Sequence, residues 1–569
     1  MVRRTADLSF GRSAAHAFRR ISSRRRIAAW LAVALSATAC GAPAPQEAAD
    51  APAPSSGAAL VLLIAVDQMR PDYLERFDAQ LTGGLRHLLD EGAVFVNTRQ
   101  GHAITSTAPG HAAMLSGRYP RTHGIVDNGW YDHALGREER AASDPAYRHV
   151  GLEAPDDGPA GAPTQFRGSS LVGWLKQRDP RSLSVSISRK ARSAVLSTPE
   201  GEHVYWWHAG GPRFVTSTYY RDELPDWVAA FNDSGWLSAY AGGAWELLEP
   251  EDAYTGSRPD DYPAERGARG FGNVFPHPLP QELPALAGRI QSTPYMDQAT
   301  LDLGRAAITA LGLGQDEVTD VLALGLSSTD SIGHAFGPFS REVHDQVLRL
   351  DRMLGEFFAF VDETVGLDRM IIALTSDHGV VPLPEYSREL GEDAERVRMR
   401  EILDGIDARL GAQIGGADWF ESHSYGWLQL DREQAAALGA DPDALVAAAR
   451  DYVASLDAVA AVFTRDELLA GTEIDSPFTE AVRRSFYPDR SGDLYLVHWP
   501  LSQWETGAGS NHQSPHDYDQ RVPLILSGPG IAAGVRWEDV DVVDLAPTLA
   551  RLLGLSVPDA VDGTPLPGF

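Results

Sequence analysis

Cysteine and lysine are almost missing from this chain. One Cys in 569 residues excludes a disulfide scaffold and every zinc module built on paired thiolates. Lys176 and Lys190 are the only lysines among 49 basic residues. A compact ammonium kept in so Arg-biased a chain marks its position for attention. Cation is scarce altogether: 78 Asp and Glu against 49 Lys and Arg leave a formal net charge of −29. That argues against a nucleic-acid duplex as partner, because neutralising a phosphate backbone takes clustered cation. A small anion is not excluded, since a cation-rich pocket reverses the sign locally. Neither Lys directly follows a Gly, so there is no P-loop. With 43% apolar residues the chain is too hydrophobic for disorder and long enough for one to three domains with a large core.

The N-terminus reads as an address. Arg24, Arg25 and Arg26 precede Ile27 to Ala39, an apolar run too short for the roughly 20 residues of a membrane span. With Ala37-Thr38-Ala39 behind it, this is the pattern of a secretory signal over 1–39. That segment carries eight Arg against one Asp, so its loss takes the net charge from −29 to −36. Cys40 follows directly, and Ala42 to Gly57 is rich in Pro, Ala and Ser. The arrangement resembles a bacterial lipobox, with Cys40 lipidated and 40–58 a flexible tether. Ala37 stands where that pattern prefers Leu. Cleavage without lipidation is the other outcome, and Ser23-Arg24-Arg25 resembles a twin-arginine signal. Each route places the protein outside the cytoplasm, in the periplasm or on the surface of a bacterium.

From residue 59 the pattern is α/β. Ala59 to Val66, Val321 to Leu326, Met370 to Thr375 and Val522 to Leu526 are continuous apolar runs, as expected of strands covered on both faces. Helical periodicity runs through Arg341 to Val361, Asp443 to Ala454 and Val542 to Leu553. The expected fold is a mostly parallel central sheet with helices on both faces. Residues 59–569 form one catalytic domain, with cap insertions at about 196–286, rich in Trp and Tyr, and about 381–510.

Three of the runs end in acids or imidazoles: Asp67; Asp330 with His334; Asp377 with His378. Ligands in open α/β sheets bind beyond the carboxyl ends of strands. Asp and His four residues apart can face one ion, and His512 and His516 add late imidazoles. A donor set of N and O without thiolate favours zinc. Thr107, ahead of Pro109 and Gly110, reads as an N-cap. A hydroxyl there sees the positive end of the helix dipole, where phosphate is also held. Lys190-Ala-Arg192 reads as an extended segment with both cations on one face.

Taken in order, Thr107-Ala-Pro-Gly-His, Gly117-Arg-Tyr-Pro-Arg-Thr-His-Gly-Ile125, Asn128-Gly-Trp-Tyr-Asp132, Asp330-Ser-Ile-Gly-His334, Ser376-Asp377-His378-Gly379 and His512 to Asp519 resemble the alkaline phosphatase superfamily. They are most similar to the phosphate-irrepressible bacterial alkaline phosphatases, whose core also resembles nucleotide pyrophosphatases/phosphodiesterases. The resemblance spans 59–569. It implies a phosphate monoesterase using two Zn2+ and a phosphothreonine on Thr107. One zinc would take Asp67, Thr107, Asp377 and His378, the other Asp330, His334 and His512. The family usually reads His-Gly where this chain has His512-Gln513, and His516 is the alternative ligand. Asn128, Lys190 and Arg192, at 21, 83 and 85 residues beyond Thr107, would bind substrate. Thr107-Ala-Pro-Gly departs from the Cys/Ser-x-Pro-Ser-Arg context of sulfatases. The rivals are a phosphodiesterase or nucleotide pyrophosphatase on the same metals, a phosphonate hydrolase, and, from another class, an inactive surface lipoprotein that only binds.

Overall fold

Leu60–Val66 (β1) reads LVLLIAV and is buried at every position, which only a strand covered on both faces can be. The computed structural model describes residues 57–569 apart from 133, 134, 155, 157, 269, 425, 505, 506 and 559; the signal expected over 1–39 and Cys40 lie outside the described residues. The next strands are Ala93–Arg99 (β2), His149–Val150 (β3), Ser184–Ser188 (β4), His203–His208 (β5) and Arg213–Ser217 (β6). Asp320–Leu326 (β7) and Met370–Thr375 (β8) follow. Phe420–Ser424 (β9), Trp427–Leu430 (β10), Val459–Thr464 (β11) and Leu494–His498 (β12) precede Leu524–Ser527 (β13) and Gly534–Asp541 (β14).

Ten strands make the main sheet, in the order β14-β2-β13-β8-β1-β7-β4-β5-β6-β3. The centre, β8-β1-β7-β4-β5, is parallel throughout; β13 and β6 run antiparallel to their neighbours. The helices used below are Gly84–Glu91 (α1), Thr107–Ser116 (α2), Ala191–Ser197 (α3), Pro294–Leu311 (α4), Ser328–Phe336 (α5), Arg341–Thr364 (α6) and Leu545–Leu552 (α7).

Side chains alternate along a strand, so β1 feeds two cores. Leu60, Leu62, Ile64 and Val66 pack with α1, α4 and α6. Val61, Leu63 and Ala65 pack with α7 and the C-terminal end of α2. Full burial of one such Leu contributes about 1.5–3 kcal/mol, and both faces are filled.

One boundary differs from expectation. The stretch 196–286 is not simply an inserted cap, because its β5 and β6 are strands of the main sheet. Its aromatic residues serve packing: Tyr205, Trp207 and Trp245 join the α4/α6 core, and Trp206 packs behind α2 with Ala108 and Ala112. Trp245 also donates its indole N–H to Asp345 Oδ2 on α6 at 2.7 Å. Within 381–510, β9, β10, β12 and β11 form a separate antiparallel sheet with a core of its own around Ile406, Leu410 and Trp419.

Candidate active site

The parallel strands β8, β1, β7 and β4 open their carboxyl ends on one rim, and the chain turns there four times with a polar residue. Asp67 leaves β1 with its N–H still on Leu326 O, at 2.9 Å. Gln68 then takes φ +67, which aims its N–H at Asp377 Oδ1, 3.0 Å away. Beyond β7, α5 begins at once, placing Asp330 in its first turn and His334 one turn later, with 3.3 Å from His334 Nε2 to Asp330 Oδ1. Beyond β8 come Asp377 and His378, both fully buried.

Two donor groups result: Asp67, Asp377 and His378, and Asp330, His334 and His512, each with its ligand atoms within 4.8 Å of one another. They adjoin. The rings of His378 and His512 stack at 3.7 Å, and His512 Nε2 is 3.9 Å from Asp330 Oδ1. All three imidazoles face a backbone carbonyl through Nδ1: His334 to Ser510 O at 2.8 Å, His378 to Gly379 O at 2.9 Å and His512 to Thr105 O at 2.7 Å. A carbonyl only accepts, so the proton sits on Nδ1 and the Nε2 lone pairs turn inward, the form that ligates metal.

Asp67 Oδ1 and His378 Nε2 are buried without a hydrogen-bond partner. Each such orphan costs about 1–3 kcal/mol unless something satisfies it. Burial pushes the Asp67 carboxyl well up, and the Asp330 and Asp377 carboxylates push it further. Burial raises Asp377 as well, but the imidazoles of His378 and His111 outweigh it and hold that carboxyl low. Burial holds His512 and His378 below the ordinary imidazole range. Three buried carboxylates and imidazoles with inward lone pairs are a donor set for divalent cations, and N with O donors suits zinc.

Thr107 stands at the mouth of this cluster. The helix cap is Ser106, not Thr107 as the sequence suggests: Ser106 is extended at φ −128 and ψ 164, and its Oγ donates to Asp127 Oδ1 at 2.7 Å. Thr107 is the first helical residue. Its Oγ1 accepts from Lys190 Nζ at 3.2 Å and from Arg192 Nη2 at 3.4 Å. Two cationic donors on one hydroxyl oxygen favour its oxyanion. Lys190 Nζ also lies 2.6 Å from Asp67 Oδ2 and 2.7 Å from Asp330 Oδ2, so one ammonium touches both donor groups. The Lys190-Ala-Arg192 segment is extended only at Lys190 (φ −92, ψ 127); Arg192 is in the first turn of α3. A strand end running straight into a helix converges the two cations as an extended chain would not. Asn128 Oδ1 accepts the Ala108 N–H at 3.0 Å, one residue from Thr107.

His516 stands apart from both groups. Its Nε2 lies 2.9 Å from His498 O on β12, and its ring contacts Phe478, His498 and Tyr518. Other residues carried no role in the sequence reading. Gln68 Nε2 donates to Asp330 Oδ1 at 3.1 Å, Arg189 Nη2 lies 3.7 Å from Asp330 Oδ2, and His111 Nδ1 lies 3.0 Å from Thr107 O and 3.3 Å from Asp377 Oδ2. Adjacency to Asp67, to Lys190 and to the Thr107 turn was their only signal. Gln513 takes φ +86 and reaches Asp127 Oδ1 with Nε2 at 3.1 Å, tying the His512 loop to the Thr107 turn.

The family model described as type I phosphodiesterase / nucleotide pyrophosphatase matches residues 61–519. The chain belongs to this family. Alkaline phosphatase PafA of Elizabethkingia meningoseptica is 31% identical over 521 residues, covering 89% of this chain and 93% of that one. Alkaline phosphatase PhoK of Sphingomonas sp is 32% identical over 526 residues, covering 89% and 90%. A protein of Myroides odoratus named calcium-transporting ATPase is 32% identical over 523 residues, covering 89% and 94%; among the described residues here, no helix is long and apolar enough to cross a membrane. The crystal structure of PafA superimposes with a TM-score of 0.84 at 29% identity, over 90% of this chain and 98% of that one. The chain is accordingly a phosphatase of the alkaline phosphatase superfamily, with a mixed α/β fold of the PafA type and donor groups that point to a metal cofactor.

Proposed function

We propose that this protein is an extracytoplasmic, two-zinc alkaline phosphatase that hydrolyses phosphate monoesters through a phosphothreonine on Thr107. The observation that carries the proposal is the hydroxyl of Thr107, at a helix start, within 3.2 Å of Lys190 and 3.4 Å of Arg192 beside two adjoining donor groups. Asp67, Asp377 and His378 with Thr107 would hold one zinc, and Asp330, His334 and His512 the other. Bound there, two zinc ions supply Lewis-acid charge at the entering and leaving oxygens of an in-line displacement.

The chain does the rest. Thr107 Oγ1 gives up its hydroxyl proton to solvent and attacks phosphorus, the new O–P bond forms as the ester O–P bond breaks, and the leaving oxygen departs from the opposite face and takes a proton from water. Water then cleaves the Thr107 ester by the reverse displacement. A monoester dianion spreads its charge over three non-bridging oxygens, enough for Lys190, Arg192 and the Asn128 amide to engage together. A diester has one charge fewer and an extra group to house, so the two cations favour monoesters. A solved variant of PafA carries substitutions at a threonine and at an asparagine, a lysine and an arginine 21, 83 and 85 residues further on, the spacing of Thr107, Asn128, Lys190 and Arg192 here. The extracytoplasmic placement rests on the signal pattern over 1–39.

The family description favours one rival, a phosphodiesterase. Initial rates on p-nitrophenyl phosphate and bis(p-nitrophenyl) phosphate, with and without chelator, separate the two. The proposal expects the monoester to be turned over faster and both activities to vanish with chelator; a faster diester rate would reverse the assignment.

A further inference from the structure

At the outer edge of the main sheet a third set of donors shares no residue with the two central groups: His149, Asp156 and His208. His149 belongs to the edge strand β3, His208 closes β5, and Asp156 sits on the loop leaving β3. β5 lies next to β4 with Trp206 opposite Ser188, so His208 projects past the same carboxyl rim that carries Lys190.

The geometry points to a third metal site here, for one divalent cation of the zinc type. His208 Nε2 is 3.0 Å and His149 Nδ1 3.4 Å from a single oxygen, Asp156 Oδ2. Donors bonded at about 2.0–2.1 Å in a tetrahedron stand roughly 3.3 Å apart, so each imidazole nitrogen already stands at about that spacing from the carboxylate oxygen, and the two nitrogens lie within 4.8 Å of one another. His149 Nδ1 is buried with no hydrogen-bond partner. Asp156 Oδ1 accepts the Gly158 N–H at 2.9 Å, which pins the carboxylate and leaves Oδ2 to the two rings. Side-chain exposures of 35% at Asp156 and 22% at His208 leave an entry path and a solvent-facing fourth position. Two imidazoles and one carboxylate are borderline donors that prefer zinc to calcium or magnesium.

One contact must change. Gly211 donates its N–H to His208 Nδ1 at 3.0 Å, so without a cation the ring carries its proton on Nε2, toward Asp156. A cation takes that proton's place, and the proton moves to Nδ1. The Gly211 N–H keeps an acceptor, His208 O at 3.2 Å, and the new Nδ1–H requires the ring, 22% exposed, to turn from Gly211 toward water. The consequence is a clamp holding the loop after β3 against the end of β5.

Zinc retention tests the clamp. The full chain, an Asp156→Asn variant and a His149→Gln/His208→Gln double variant are equilibrated against one buffered free-zinc concentration, desalted and analysed for zinc per chain. The wild type is expected to retain one zinc more than either variant, with p-nitrophenyl phosphate turnover unchanged in all three. Equal zinc in the wild type and in Asp156→Asn, a substitution on an exposed loop that spares the sheet, would overturn the proposal. The readout is a difference, so absence of the central zinc from all three proteins would count against the proposed function and leave the edge site still measurable.

Discussion

Gly110 of α2 lies so close to Asp377 that a Cβ on it would stand 2.3 Å from the Asp377 carbonyl oxygen and 2.8 Å from its Cα. Backbone cannot yield as a side-chain tip can, so the missing methyl is what lets α2 dock on the turn that carries Asp377 and His378. His111, the next residue, reinforces the contact through Thr107 O and Asp377 Oδ2.

Gly110→Ala is therefore expected to push α2 off that turn. A misplacement of about 1 Å at reacting groups costs roughly 10²-fold in rate, and overpacking of this kind about 1–3 kcal/mol in stability. Steady-state kinetics on an aryl monoester together with a denaturant melt read both; a kcat within about threefold of wild type would show that the docking does not position Thr107.

Lys190→Ala removes an ammonium that reaches Thr107 Oγ1 and both donor groups. At about 3 kcal/mol for a preorganised donor, kcat/KM on a monoester should fall roughly 10²-fold. The fall on a diester should be smaller, since fewer oxygens carry charge. Equal losses on the two substrates would remove the basis for the monoester preference.

Chelation should abolish turnover and also lower Tm. Asp67, Asp330 and Asp377 are buried together, and a cation that binds only the folded chain adds about 2.7 kcal/mol at a hundred times its Kd. Thermal unfolding with and without chelator checks this, with restoration by added Zn2+; an unchanged Tm would contradict a tightly held metal.

A pH dependence of stability comes from a carboxyl outside the two donor groups. Glu342 on α6 is fully buried, its Oε1 3.1 Å from His277 Nε2. Burial pushes this carboxyl up from its ordinary 4.5 to about 8, and burial holds His277 down at about 4. Between pH 4.5 and 8 the folded Glu342 keeps a proton that the unfolded carboxyl has lost, while below 6.5 the unfolded His277 holds one that the folded ring lacks; the two offset up to about pH 6.5, and stability falls from there as pH rises to 8 and levels off above it. Glu342→Gln should flatten this part of the profile, gaining on the wild type between pH 5 and pH 9. A Tm difference independent of pH would show that Glu342 is ionised in the fold.

Much of this protein was legible before any coordinates. Continuous apolar runs ending in Asp or Asp-His mark buried parallel strands and their functional ends, because a strand covered on both faces tolerates polar residues only where it leaves the sheet. Asp67, Asp330, His334, Asp377 and His378 could be picked out for that reason, and helix α6 from its period. Tertiary structure alone decided which late imidazole joins them: His512 stacks on His378 with Nδ1 on Thr105 O, whereas His516 turns Nε2 to His498 O, away from both groups. It also decided that 203–217 belongs to the main sheet, because pairing is a property of two strands and neither one carries it. The same holds for the three contacts of Lys190 and for the fit of Gly110 against Asp377, which join residues 83 to 267 positions apart. Local composition selects elements by their burial and period; the order in which strands lie side by side, β8-β1-β7-β4, determines which of their ends meet.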